Sequence, residues 1–426
     1  MTARINVDDI SREDKDFIQD TLVVVTNKNK QLSIFDIVQT KTECWIHLPL
    51  FFSLRYSPKP FSTVPKDCRG FLGELRPEQI KVRDECIKHL EVDGTCIMGT
   101  QPGFGKTITS IEMVCRINVK TMILVKQTVI LNQWIKAFSC LAPHLKVQKI
   151  SGNTAMNPDA DVYILNPILM KPGSGSLQRG QLSLCNTVEF LILDEMHLII
   201  TEMLLKSLYN IQPKYLLGLS ATPRRPQNDP FKNVIKWFFG PNIVERKLFH
   251  PHTVHIVKTN YTPETLKYTP QGLDWNHVLN EQANSLERNC IIVSNVLKHK
   301  ERIWLILVKR VSHAENLTNL FKERDIETET LVGTKTTFNK KCKILIGTTS
   351  KIGVGFDHAP INALCIAADV VEYFEQFLGR CMRVESSQEI SQPIVFDFDD
   401  DFNILHKHCL HRISEYKKYG GIIIKK

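Results

Sequence analysis

Short apolar runs recur along the chain, and between them apolar positions return every three or four residues. In the stretch from about 70 to 240, the runs at 95–98, 121–125, 147–150, 161–165, 189–193 and 215–219 predict strands. Several are apolar without alternation, the pattern of strands buried on both faces of a parallel sheet. Segments 77–90, 106–117 and 127–138 carry helical periodicity between them. Strand and helix in alternation make a doubly wound α/β domain, in which ligands collect at the carboxyl ends of the strands.

A second alternation starts near residue 285. Helix 285–298, strand 303–308, helix 311–323 and strands 329–332, 342–347 and 363–368 are followed by helix 371–382, strand 393–398 and a closing helix 402–419. Residues 246–284 are punctuated by Pro251, Pro263 and Pro270 and read as a linker with one strand at 253–258. The first 66 residues hold apolar runs at 22–26 and 45–52, which predict a small β-rich accessory module. The expected division is therefore 1–66, an α/β domain over 67–245, a linker over 246–284 and a second α/β domain over 285–426. The low-complexity stretch 172–176 reads as a surface loop.

Composition narrows the class. A length of 426 residues suits two to three domains, and 43% hydrophobic with 23% charged residues describes packed cores rather than a disordered chain. No apolar run approaches the roughly 20 residues of a membrane span, and the polar start lacks a secretory core. Twelve cysteines without a Cys-x-x-Cys pair read as reduced thiols, so a soluble intracellular protein is expected. A net charge of +9 leans toward polyanionic partners.

The chemistry concentrates at predicted strand ends. Thr100, Gln101, Pro102, Gly103, Phe104, Gly105, Lys106 and Thr107 join a strand to a helix start. Such a turn points backbone N–H groups inward at the positive end of a helix, and Lys106 can reach the β and γ phosphates of a nucleotide. Thr107 can place its hydroxyl on Mg²⁺, which points to ATP. The strand at 189–193 ends in Asp194, Glu195 and His197. Asp194 suits Mg²⁺ and Glu195 suits polarising an attacking water. Ser220 and Thr222 end the next strand as hydroxyls able to relay between sites. Gln376, Arg380 and Arg383 share one helix face, and paired guanidinium groups can stabilise a transferring γ-phosphate. The turn at 349–357, with Gly355 and Asp357, suits backbone approach to phosphate. His406, His408, Cys409 and His411 lack the second ligand pair of a zinc site, so they read as a basic helix surface.

Taken in order, these segments resemble a superfamily 2 DExH helicase with two RecA-like domains. Leu75 through Gln79 resembles the motif whose glutamine reads adenine, and Lys106 and Thr107 match motif I. Segment 124–134 resembles motif Ia, 194–197 motif II, Ser220 to Thr222 motif III, 349–357 motif V and 376–383 motif VI. Gly103 to Thr109, Glu287-Arg288-Asn289 and Glu375 to Arg380 narrow the likeness to the poxvirus-type transcript-release DNA helicases. Their relatives in large cytoplasmic DNA viruses, and more distantly UvsW and XPB, share the layout.

The resemblance implies two tandem RecA-like parallel-sheet domains, with ATP and Mg²⁺ between them, hydrolysis driven by Glu195, Arg380 and Arg383, and His197 and Gln376 coupling the site. It implies movement on single-stranded or duplex DNA gripped by its phosphates with low sequence specificity. Expected settings are viral transcription termination, alongside transcription machinery, or DNA recombination and repair, in the host cytoplasm or virion. Two alternatives carry different expectations: a translocase or annealing motor that never separates strands, and an ATP-gated clamp with little turnover.

Overall fold

The continuous apolar runs at 95–98, 121–125, 161–165, 189–193 and 215–219 become inner strands, each paired on both sides. In the computed structural model the described residues are 2–26, 29–40, 42–58, 63–65, 67–68, 70–152, 154–171, 184–209, 211–225, 229–246, 250–270, 272–352, 356, 358, 360–371, 374–381 and 392–425, with the backbone alone at 375, 376, 380 and 381. The loop at 172–176 lies outside them. The chain divides into two compact units, one spanning 1–246 apart from loop residues 101–103, the other containing 247–426.

The first unit opens with strands β1 (Thr2–Asn6), β2 (Val23–Val25), β3 (Gln31–Ser33), β4 (Asp36–Gln39) and β5 (Cys44–Pro49). β1, β5 and β4 form an antiparallel sheet in that order, and β2 pairs with β3 as a hairpin. Helix Arg12–Thr21 starts at Ser11, whose hydroxyl accepts from the Asp14 N–H at 3.1 Å. Sequence reading missed this helix because its surface is nearly all polar and Ile18 is its sole buried residue.

The main sheet follows, with β6 (Thr95–Thr100), β7 (Thr121–Val125), β8 (Val147–Ile150), β9 (Val162–Leu165), β10 (Phe190–Asp194), β11 (Tyr215–Ser220) and β12 (Ile243–Arg246). These run parallel in the order β12-β6-β11-β10-β7-β9-β8. Alternate residues of one strand serve two cores, which is why the runs are apolar throughout. Leu191 and Leu193 of β10 pack with Met122 and Leu124, whereas Phe190 and Ile192 pack with Ile123 and Trp134 on the other face. The first core also takes in Ile5, Ile46 and Leu48, so the N-terminal sheet shares a core with the main one. Thr2 ties them together by donating its N–H to Ile211 O at 3.1 Å and its hydroxyl to Tyr209 O at 3.0 Å.

The second unit contains β13 (His252–Lys258), the hairpin β14 (Tyr268–Thr269) and β15 (Gly272–Leu273), then β16 (Trp304–Val308), β17 (Glu329–Leu331), β18 (Ile344–Thr348), β19 (Ala363–Ile366), β20 (Ile394–Asp399) and β21 (Gly421–Lys425). Its parallel sheet has the order β17-β18-β16-β19-β20-β13-β21. Thus the stretch read as linker holds a structural strand, β13, paired along its length with β20 and β21. The prolines flank that strand rather than interrupt it, as a ladder requires. β21 was not foreseen. Among the described residues no helix is long and apolar enough to cross a membrane.

Buried charge pins the carboxyl ends of this second sheet. Arg412 grips Asp397 in a fork, Nε to Oδ2 at 2.7 Å and Nη2 to Oδ1 at 2.9 Å, and reaches Asp369 with Nη1 at 3.0 Å. Tyr416 donates its hydroxyl to Asp397 at 3.1 Å. Arg288 donates Nε to Asp400 at 2.8 Å and Nη1 to Ala367 O at 2.6 Å, and Gln282 donates to the other oxygen of Asp400 at 2.7 Å. His406 and His408 face Asp399 and Asp369 at 2.7 and 2.9 Å. Removing one member of such a cluster strands its partners in a low-dielectric interior. Arg412→Ala is therefore expected to destabilise the second unit by about 3–5 kcal/mol. Denaturant titration followed by circular dichroism checks this, and a midpoint like that of the unmodified chain would refute it.

Candidate nucleotide site

Strand order brings the sequence motifs of the first unit together. β11 lies between β6 and β10, with Ser220 level with Gly99 and Leu219 level with Asp194. Consequently the loop after β6, Asp194 and Glu195 after β10, and the Ser220 turn leave adjacent strand tips on the same edge of the sheet.

The loop after β6 depends on glycine geometry at two positions. Gly103 has φ of 80° and Gly105 has φ of 96°, values that side chains with a Cβ rarely adopt. A Cβ on Gly105 would also come within 2.2 Å of Gln79 Nε2. Gly105 then caps helix Lys106–Ile117, whose first turn carries Lys106 and Thr107. Lys106 donates its ammonium to Thr100 O at 3.0 Å, which holds the side chain back over the loop. The buried Thr100 hydroxyl and the Gln101 side-chain carbonyl find no hydrogen-bond partner among the described residues. A phosphate-bearing ligand with its water would supply such partners.

Gln79 proves to be a brace. At the start of helix Pro77–Asp93 its side-chain oxygen accepts the Arg76 N–H at 2.8 Å, and its Nε2 donates to Phe104 O at 2.8 Å. Arg76 donates a second hydrogen bond to the same carbonyl. Both ends of the Gln79 amide are thereby engaged with main chain of the loop and its own helix.

At the tip of β10, Asp194 is buried and its Oδ2 accepts the indole N–H of Trp134 at 2.7 Å. Burial, reinforced by the Glu195 charge, pushes its carboxyl up to about 6 against the opposing pull of Trp134 and Lys106. A cation beside the carboxylate would reverse that balance, and the half-buried Thr107 opens the neighbouring helix, so the donor set fits Mg²⁺. Glu195 sits at φ 50° and ψ 57°, a left-handed conformation rare outside glycine. It enters a helix of only four residues, Met196–Ile199. Arg225 holds this turn by donating to His197 O at 3.0 Å and Ile200 O at 2.6 Å while paired with Asp229 at 2.8 Å. His197 Nδ1 lies 3.2 Å from Ser220 Oγ and 3.5 Å from Glu195 Oε2. Burial, with Arg225 and Lys106 nearby, lowers His197 to about 4, so it is neutral at pH 7. Ser220 Oγ also accepts the Thr222 N–H at 3.0 Å, linking the two turns.

Gln79, loop residues 100 and 104–107, Asp194, Glu195 and His197 thus gather in the first unit. In the second unit, Gln376 and Arg380 fall in helix Phe374–Cys381 with their backbone alone described, while Gly355, Asp357 and Arg383 lie outside the described residues. Sequence reading passed over Trp134 and Arg225 as site residues. Each bonds across 25 to 60 positions, so no local spacing marks them.

Four similarities to known proteins bear on these residues. The family model "Type III restriction enzyme, res subunit" matches residues 72–225. "Putative helicase 161L" of Invertebrate iridescent virus 6 is 36% identical over 376 residues, covering 83% of this chain and 83% of that protein. "Transcript termination protein A18" of Yaba monkey tumor virus is 24% identical over 319 residues, covering 67% of this chain and 64% of its own. Among solved structures, S. cerevisiae Dbp5 bound to RNA and ADP BeF3 shares the fold with a TM-score of 0.54 at 13% identity, over 85% of this chain and 96% of that one.

The raised Asp194 carboxyl has a consequence for stability. A group whose folded value lies above its unfolded one stabilises the protein at low pH and ceases to do so as pH rises through the folded value, here about 6. In ligand-free protein, Asp194→Asn is therefore expected to raise the melting temperature at pH 7 by about 3–6 °C and to change it little at pH 4. Scanning calorimetry at the two pH values decides the point; an equal effect at both would remove it.

Proposed function

The chain belongs to the superfamily 2 helicases, and we propose that it is an ATP-dependent DNA helicase or translocase of the viral transcript-release type. The observation that carries this reading is the convergence of a glycine-bearing loop ending in Lys106, a buried carboxylate, an adjacent half-buried carboxylate and a histidine–serine contact on three neighbouring strand tips. Phosphoryl transfer asks for little beyond positioning and charge, and this arrangement offers both.

Lys106 would swing from the Thr100 carbonyl to the terminal phosphates, and the backbone N–H groups from Gly103 to Thr107 would cradle them. Thr107 and Asp194 would hold Mg²⁺, which supplies charge neutralisation on the phosphates when bound. Glu195, fixed in its left-handed conformation, orients and polarises the attacking water. His197, neutral at working pH, transmits the state of the site to Ser220 and Thr222 by hydrogen bonding rather than by charge. Gln79 steadies the loop through Phe104, and reading adenine is a further task assigned to it by family likeness. The same likeness gives Gln376 a coupling role, Arg380 and Arg383 the stabilisation of the transferring phosphoryl, and Gly355 and Asp357 a part in nucleotide contact.

A DNA substrate is supported by the wording of motifs Ia and VI, and work at transcript termination by the likeness to the A18 protein. Contact with transcription machinery follows from that second point.

Steady-state ATPase assays test the reading. Lys106→Ala and Glu195→Gln should each cut nucleic-acid-stimulated turnover by at least about 10²-fold without loss of fold. Retained stimulated hydrolysis in both variants would overturn the site assignment. Arg383→Ala should keep ATP affinity while turnover collapses. At fixed salt, single-stranded DNA should stimulate hydrolysis more than RNA; the reverse order would move the substrate to RNA. Displacement from forked but not blunt duplexes would support strand separation, and hydrolysis without displacement on any substrate would make the protein a translocase only.

A further inference from the structure

Helix Thr128–Leu141 begins directly after β7, with Gln127 as its N-cap, and its first turn is open to solvent, with Val129 58% exposed. One face turns inward and buries Leu131, Trp134 and Phe138. Trp134 is wholly buried, and its ring lies 6.1 Å from that of Phe138. An indole has a single donor and no acceptor, and a buried one must spend that donor on something. In a core of this kind a backbone carbonyl is the commonplace choice. Trp134 spends it on Asp194 Oδ2 instead, at 2.7 Å and across 60 positions of chain.

The choice has a chemical consequence. A carboxylate on a short strand-tip side chain can rotate about its last bond, and a fixed donor on one oxygen removes that freedom. With Oδ2 held by the indole, the plane in which the carboxylate meets a cation is set. Groups that hydrogen-bond a metal ligand from behind set its orientation, and their removal costs about 10–100-fold in metal affinity or activity. The holder here is a rigid ring with two side-chain torsions, set midway along a helix whose N-terminal turn is at the surface.

We propose that Trp134 is a positioning residue that orients Asp194 for the divalent cation. This rests on the nucleotide reading above, with Asp194 as the cation ligand.

Mn²⁺ binding in the presence of ADP, followed by electron paramagnetic resonance on the full chain, tests it directly. Trp134→Phe keeps most of the packing and removes the donor. Its Mn²⁺ dissociation constant should rise about tenfold, with binding of metal-free ADP unchanged and the Mg²⁺ half-saturation of ATP hydrolysis displaced upward to match. A space-filling role alone would lower the melting temperature and leave Mn²⁺ affinity within twofold of the unmodified chain, and that result overturns the proposal. Should the Phe variant fail to fold, benzothienylalanine at position 134, which has the indole's shape and no N–H, gives the same readout. If the unmodified chain itself binds no Mn²⁺ with ADP, the nucleotide reading falls and this inference with it. Binding by the unmodified chain with no change in the variant removes this inference alone.

Discussion

The site rests on holding a carboxylate at the end of a strand that is apolar on both faces. Asp194 follows Phe190, Leu191, Ile192 and Leu193, all wholly buried, and has β7 and β11 as neighbours. Such a strand cannot shift register to relieve the cost of the charge. Sliding by one residue would exchange the contents of the two cores and move the tip by about 3.3 Å. The register that places Asp194 level with Val125 and Leu219 is therefore enforced by packing on both faces. The carboxylate accepts a strained ionisation because everything around it is already committed.

The second unit meets the same physical problem differently. Asp397, Asp369 and Asp400 also sit near carboxyl ends of parallel strands, yet each is answered by a buried guanidinium. Their oxygens are spent on Arg412, Arg288, Gln282, Tyr416 and Thr259. A carboxylate so fully served has nothing left for a ligand, and its role is to fix where the helices meet the sheet. Asp194 instead accepts from a neutral indole, Trp134, with the Lys106 charge and the Glu195 N–H adding less. The contrast is between acids held by buried guanidinium groups and one held chiefly by a neutral donor.

Much of this was legible from the chain. Continuous apolar runs located all the inner strands of both sheets to within a residue or two, because strands covered on two faces leave little room for polar positions. The glycine-bearing loop at 100–107 and the Asp194–Glu195 tip could be placed at strand ends because each is a few residues at fixed spacing after an apolar run. What escaped was either weakly patterned or nonlocal. Helix Arg12–Thr21 buries one apolar side chain and so offers no stripe. The strand at 253–258 is legible too, but its flanking prolines assign it to a linker, and only its pairing with β20 and β21 places it in the second sheet. β21 is an edge strand whose isoleucines at 422 and 424 are 57% and 39% exposed, so nothing in its own burial demands it. Trp134 and Arg225 act across the fold, and only the sheet order brings them to their partners.

That last group carries the most weight for how the site works. Glu195 occupies a conformation with an intrinsic cost of about 1–3 kcal/mol, at the entry to a helix of one turn. A helix so short has no stability of its own. Arg225 supplies it from outside by taking up carbonyls at His197 and Ile200, groups the short helix leaves without internal partners. Because Arg225 follows Ser220 by five residues, the turn that touches His197 through Ser220 is also the turn that holds the Glu195 segment in place. The two contacts cannot move independently. A shift of the Ser220 turn alters the histidine's partner and the clamp on the helix together, so the alignment of Glu195 depends on a neighbour whose own motif contains no acid, base or metal ligand.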